Sequence, residues 1–218
     1  MKARVRVWDL PTRLFHWSLV ISVIGLVISG NMGGLWIEWH YRLGQFVMSL
    51  LLFRLIWGVL GGHWSRFANF VRGPLTLWRY WRGHTPPAIG HNPLGAWSVL
   101  LFLGLLSAQV VTGLLSDDEI AFYGPWSVLV STDWVAWSTD YHQNMGKFLL
   151  IALVVMHLLA MAFYALVRRK NLIPAMVHGD KYLSPLTTAS SDTTARRMLA
   201  LVIWLLCAAL VLWTTALS

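Results

Sequence analysis

Apolar residues run along this chain in five long blocks, at about 14–32, 41–60, 94–115, 143–167 and 199–217. Each is close to the ~20 residues that an α-helix needs to cross a bilayer. The blocks are continuously apolar and do not alternate in-and-out, so they predict lipid-facing helices and not strands. The expected fold is an all-α integral membrane protein: a four-helix transmembrane bundle over residues 1–182, plus an additional span over 199–218. Between the second and third blocks lies "GGHWSRFANFVRGPLTLWRYWRGHTPPAIGHNP". Its mixture of arginines and aromatics, bounded by Gly and Pro, predicts an interfacial amphipathic connector near 62–92. "SPLTTASSDTTARR" predicts a flexible linker over 183–198. The basic start "MKARVRV" before an apolar run resembles a signal peptide, but no small-residue cleavage pattern follows, so the first block is read as a span.

Composition narrows the class. The chain is 57% hydrophobic and 12% charged, which excludes an ordinary soluble domain. Fourteen tryptophans suit a membrane–water interface. The net charge of +8 would permit nucleic-acid binding, but the cations cluster at the ends of apolar blocks, so no nucleic acid is expected. Lys2, Arg4, Arg6 and Arg13, then Arg66, Arg72, Arg79 and Arg82, then Arg168, Arg169, Lys170, Lys181, Arg196 and Arg197 all fall on one side of the five-span topology. Arg42 and Lys147 are the cations of the other side, which also holds Glu38, Asp117, Asp118, Glu119, Asp133 and Asp140. The positive-inside rule then predicts a cytoplasmic N-terminus and a C-terminus on the outer side of the membrane. The single Cys207, inside an apolar block, is read as a packing residue.

The chemistry lies in the histidines. His63, His84, His91 and His178 fall in the inner connectors and read as interfacial or solvated. His16, His40, His142 and His157 fall in or at the ends of spans, where an unsatisfied polar group is costly. His40 and His142 each open a span from the outer side. His157 lies 15 residues after His142, a descent of roughly 22 Å at about 1.5 Å per residue, which brings it to the level of His16. The same interval leaves His142 and His157 about 60° apart around a regular helix. The four imidazoles thus sort into an outer pair, His40 and His142, and an inner pair, His16 and His157.

"HYRLG" and "HQNMG" share the pattern His-x-x-x-Gly, with Gly44 and Gly146 one turn from their histidines. A residue without a side chain lets a flat macrocycle approach the backbone. Zinc takes four ligands at one site, so a histidine pair falls short. Haem iron needs two axial ligands, and a bis-histidine haem leaves no position for oxygen, which favours electron transfer. The plainer alternative is histidines hydrogen-bonded between helices. Arg54, deep in the second block, is a costly intramembrane charge at the level of the inner pair, and a haem propionate is its expected partner; snorkelling to the inner face is the alternative. Gln109 and Thr112 are expected to hydrogen-bond between helices.

Together, "VWDLPTRLFHW", "WHYRLG", "LLFRLIWGVLGGHWSRFANFVRGP", "GHNPLGAWSVL", "TGLLSDDEIAFYGP" and "HQNMGKFLLIALVVMHLLA…RRKNLIPAMVHGDK" resemble the bacterial cytochrome b561 family, which includes the cytochrome b subunits of nickel–iron hydrogenases. The resemblance spans about residues 5–182. It implies a four-helix bundle carrying two b-type haems, ligated by His16, His40, His142 and His157 in the same two pairs. It further implies electron transfer between the quinone pool and another redox protein. The fifth span departs from the four-helix pattern. The expected function is therefore electron relay across the inner membrane between a periplasmic partner and quinone. That partner would be a c-type cytochrome, steered by the acidic "DDEIAFYGP" loop, or a hydrogenase-like or other dehydrogenase subunit. One rival is a self-contained quinone reductase fed by a small donor such as superoxide. Another is a haem-free membrane anchor or transporter.

Overall fold

In a computed structural model, residues 1–84, 89–119 and 122–216 are described. Residues 85–88 of the predicted connector, 120–121 of the acidic loop and the end of the last block at Leu217 lie outside them. Among the described residues, five helices are long and apolar enough to cross a membrane. In chain order the elements are β1 (Ala3–Arg6), α1 (Leu10–Met32), α2 (Trp36–Leu60), α3 (Phe67–Phe70), α4 (Pro74–Trp81), α5 (Pro93–Leu115), α6 (Thr132–Asp140), α7 (Lys147–Leu166), α8 (Ile173–His178), β2 (Asp180–Leu183) and α9 (Thr194–Ala216). A π-helical turn, Tyr141–Gly146, joins α6 to α7. Large apolar side chains such as Ile21, Ile28, Leu101, Phe148, Leu158 and Leu205 stay exposed on the long helices, as a surface meeting lipid requires.

Helix starts are set by polar caps that a reading of apolar blocks passes over. Asp9 Oδ1 accepts the Thr12 N–H at 2.9 Å, so α1 begins four residues before its apolar run. Asn92 Oδ1 accepts the Gly95 N–H at 2.7 Å and Pro93 follows it directly, which starts α5. The fourth span is longer than its apolar block. Trp134, Trp137 and Tyr141 extend it back to Thr132, with Trp137 and Tyr141 stacked at 5.5 Å. Gly33 and Gly34, at φ of 63° and 56°, make the tight left-handed turn between α1 and α2.

The chain divides into two units, and each of the five long helices supplies one segment to each. The first comprises Met1–His16, Arg54–Leu101 and Met156–Val202. Here β1 and β2 pair antiparallel, with Arg6 opposite Asp180, a small ribbon that the periodicity did not predict. Val7, Trp8 and Ala175 form a core beside Trp64, Ile89, Met176 and Leu183. The segment expected to be a flexible linker is instead tied down. Ser190 is buried, its N–H reaches Arg6 O at 2.8 Å and its hydroxyl donates to Val7 O at 2.7 Å. Asp192 pairs with Arg197 at 3.0 Å and with Arg6 at 3.3 Å. Burial raises the pKa of Asp192, but the Arg197 and Leu10 donors outweigh that, and the net shift is downward. Helix α4 is amphipathic, with Leu75, Trp78 and Trp81 exposed and Arg82 lying 4.3 Å over the Trp78 ring.

The second unit comprises Trp17–Phe53, Phe102–Val155 and Ile203–Ser218. Here α9 packs on α2: Trp204 Nε1 donates to Ser49 Oγ at 3.2 Å, and Gln45 Nε2 to Thr215 Oγ1 at 2.7 Å. The fifth helix is thus fastened to the second by interhelical polar contacts, each worth about 0.6 kcal/mol on average in a membrane.

Candidate functional site

His40 and His142 come together in the second unit. Their ring centroids lie 5.9 Å apart and the ring planes are nearly perpendicular, at 89°. Each ring is held through Nδ1 by a neighbouring helix. His40 Nδ1 donates to Leu26 O of α1 at 3.0 Å, and His142 Nδ1 to Gln109 O of α5 at 2.8 Å. A carbonyl only accepts, so the proton sits on Nδ1 and the neutral ring keeps its lone pair on Nε2. A metal-binding histidine is commonly oriented in this way. The π-helical turn carries His142 itself; such turns re-aim side chains and gather at functional positions. It also interrupts the regular helix that the 60° count assumed.

Two glycines that the sequence reading missed let the rings lie close to the neighbouring backbone. A Cβ on Gly30 would stand 2.9 Å from His40 Cε1, and one on Gly113 would stand 2.7 Å from His142 Cε1. Of the two glycines singled out in the sequence, Gly44 faces open space, whereas Gly146 is buried against α5, where a Cβ would collide with Gln109 Oε1. Glycine at 146 therefore admits the third span. Gln109 Nε2 donates to His142 O at 2.8 Å, an interhelical bond. Thr112 does not bridge helices, because its hydroxyl bonds back to Ala108 O at 2.7 Å.

The first unit holds the other residues. His16 on α1 and His157 on α7 are half-buried and lie within electrostatic reach of one another. Arg54 is only 2% exposed. Its Nη2 donates to Ser65 O at 3.1 Å, and its guanidinium lies 4.7 Å over the Phe67 ring. Gly58 allows this, since any Cβ there would run into Phe67. Asp9, with no exposed surface, is the nearby carboxylate. It accepts from Thr12 N, Gly62 N, Ser65 Oγ and Trp57 Nε1.

His91, read from sequence as a solvated loop residue, is packed between Trp8 at 4.6 Å and Phe70 at 4.4 Å, with its Nδ1 buried. The turn-like "GHNP" context concealed this, because the burying rings come from distant β1–α1 and α3 residues. Burial, then the Arg54 and Lys181 charges, push its pKa down to about 3. The unfolded chain therefore takes up a proton at His91, near pH 6.5, that the folded chain refuses until about pH 3. Stability should rise with pH across that window and level off above it. Thermal unfolding of His91→Phe in detergent should show a shallower slope there, and an unchanged slope would contradict the assignment.

The arrangement fits a haem. The His40 and His142 rings, 5.9 Å apart and each with Nδ1 committed to a carbonyl, would hold an iron macrocycle through Nε2. No group of three or more His, Cys, Asp or Glu suited to a bare ion occurs among the described residues. A histidine pair suits a metal that arrives in a macrocycle. Arg54 Nη1, buried without a hydrogen-bond partner among the described residues, offers a donor to a propionate.

Comparison with known proteins agrees. The chain is 24% identical to the probable Ni/Fe-hydrogenase B-type cytochrome subunit of Bradyrhizobium diazoefficiens, over 81% of this chain and 85% of that protein. It is 26% identical to the corresponding subunit of Azotobacter vinelandii, over 80% and 87%. It is 24% identical to the probable Ni/Fe-hydrogenase 1 B-type cytochrome subunit of Escherichia coli K12, over 79% and 88%. No solved structure matches the chain. The sequence profile of prokaryotic cytochrome b561 matches residues 7–179, and it covers both the Asp9–Arg54 cluster and all four histidines. The chain belongs to the prokaryotic cytochrome b561 family, multi-pass membrane b-type cytochromes that use haem b for electron transfer.

Proposed function

We propose that this chain binds two haems b, one between His40 and His142 and one between His16 and His157, and relays electrons across the inner membrane between a hydrogenase-like partner and quinone. The observation that carries the reading is the outer pair: two imidazoles 5.9 Å apart, each with Nδ1–H committed to a carbonyl, which leaves Nε2 available as a ligating atom. A bound haem supplies a one-electron iron couple. The protein's part would be to hold both ring tautomers and to keep the site among apolar helices. Gln109 contributes by fixing the His142 backbone. The Lys and Arg asymmetry supports a cytoplasmic N-terminus and a periplasmic C-terminus, which places the outer pair toward the periplasm. The hydrogenase-like partner is favoured over a c-type cytochrome because the similar proteins are named as Ni/Fe-hydrogenase cytochrome subunits and match over most of their length.

The test is a haem count followed by a reduction assay. A pyridine haemochrome assay on purified protein should give two haems b per chain. In membranes that also contain a nickel–iron hydrogenase, hydrogen should reduce the b haems, and added quinone should reoxidise them. A haem-free protein would point to an anchor or transporter. Reduction by superoxide alone, with no response to hydrogen, would favour the self-contained quinone reductase.

A further inference from the structure

Two buried nitrogens in the first unit lack hydrogen-bond partners among the described residues: Arg54 Nη1, always a donor, and His91 Nδ1, a donor in one of the two ring tautomers. A chain of ring contacts joins them. The Arg54 guanidinium lies 4.7 Å over Phe67, Phe67 lies 5.7 Å from Phe70, and Phe70 lies 4.4 Å from His91. Leaving a buried donor unmade is costly, and leaving part of a buried cation uncompensated is more so. The nearby anion, Asp9, already accepts from four other groups and makes no direct ion pair with Arg54 in the structure. Lys181 Nζ, also within electrostatic reach of His91, is occupied by Ile89 O at 2.7 Å. What is missing is an acceptor with negative charge. A permanent cation beside a neutral N–H suits a carboxylate better than a neutral quinone carbonyl.

We propose that Arg54 and His91 form a carboxylate-binding pair for a propionate of the inner haem, Arg54 through Nη1 and His91 through Nδ1. The proposal rests on the inner-haem reading above. It makes His91 a positioning residue for the cofactor, in a loop outside the bundle helices. His91 neutral, with Nδ1–H directed at the carboxylate, partly offsets its charge. Without that donor the carboxylate is less compensated, and ferric haem gains over ferrous.

The experiment is a redox titration of the purified two-haem protein, in wild type, His91→Phe and His91→Gln. Phenylalanine keeps the packing between Trp8 and Phe70 and removes the donor; glutamine restores an N–H. His91→Phe should keep both haems and shift the inner-haem equilibrium about tenfold toward the ferric form, a drop of about 59 mV for one electron. The outer haem should not move, and His91→Gln should recover most of the change. Redox-difference infrared spectra with propionate-labelled haem should show the carboxylate stretch shifting in His91→Phe alone. Wild-type protein with a single haem would overturn the inner-haem reading and this one with it. Two haems with an unmoved inner potential and an unmoved carboxylate stretch would overturn this proposal alone. The same result accompanied by weaker binding of a quinone analogue would assign the pair to quinone instead.

Discussion

Alanine at His40 and alanine at His142 should each leave a protein with one haem per chain, and the haem lost should be the same one. Alanine at His16 or at His157 should remove the other. Each pair lies inside one unit of the fold, with His40 and His142 in the second and His16 and His157 in the first. For the outer pair the reason is direct. The rings lie 5.9 Å apart, and each is fixed by one carbonyl of a neighbouring helix, so removing one takes away the second imidazole of that pair. Haem spectra separated by potential give the readout: His40→Ala and His142→Ala should share one residual spectrum, and His16→Ala and His157→Ala the complementary one. A crossed pattern, in which His40→Ala and His157→Ala spare the same haem, would refute the pairing. Gly113→Val gives an independent check on the geometry. A Cβ there already falls 2.7 Å from the His142 ring, so the variant should lose the outer haem while every histidine remains.

The spans were legible because crossing a bilayer demands about twenty apolar residues whatever the tertiary contacts. That constraint located all five spans, although the fourth starts at Thr132, well before its apolar block. The starts were less legible. A cap such as Asp9 or Asn92 is one polar residue whose role depends on local backbone geometry. The histidine pairs could be sorted because depth along a helix is a simple count. The groups that hold the rings could not be read in the same way. Leu26 O and Gln109 O are backbone atoms, which no side-chain pattern reports. Gly30 and Gly113 lie on α1 and α5, so their relation to His40 and His142 exists only once the helices pack. The π turn around His142 leaves no mark in hydropathy. His91 and the Ser190 strap were misjudged for one shared reason. Polar, turn-rich composition signals exposure, and here distant residues of the first unit cover it.

The largest stability loss is expected from Asp9, a residue that touches neither histidine pair. Its carboxylate caps α1, receives the Gly62 N–H just beyond the end of α2, and takes the Ser65 hydroxyl and the Trp57 indole. It therefore ties the start of one spanning helix to the end of the next, in the unit that also contains Arg54, His16 and His157. It has no exposed surface, and neither has Trp57. Asp9→Ala leaves those donors buried without an acceptor and removes the anion within electrostatic reach of Arg54. Breaking a buried charge network by deleting one partner typically costs about 3–5 kcal/mol. The loss should also be uneven. Haem release during thermal unfolding should begin with the His16–His157 site, while the His40–His142 haem, in the other unit, stays bound to higher temperature. Asp9→Asn separates charge from shape. It keeps one oxygen acceptor and nearly the same volume, so it should preserve the α1 cap while leaving Arg54 less compensated. If charge balance dominates, Asn should behave like Ala; if the hydrogen-bonded tie dominates, Asn should lie near wild type. Equal loss of both haems in Asp9→Ala, or a melting temperature unchanged from wild type, would show that the network does not hold the first unit together.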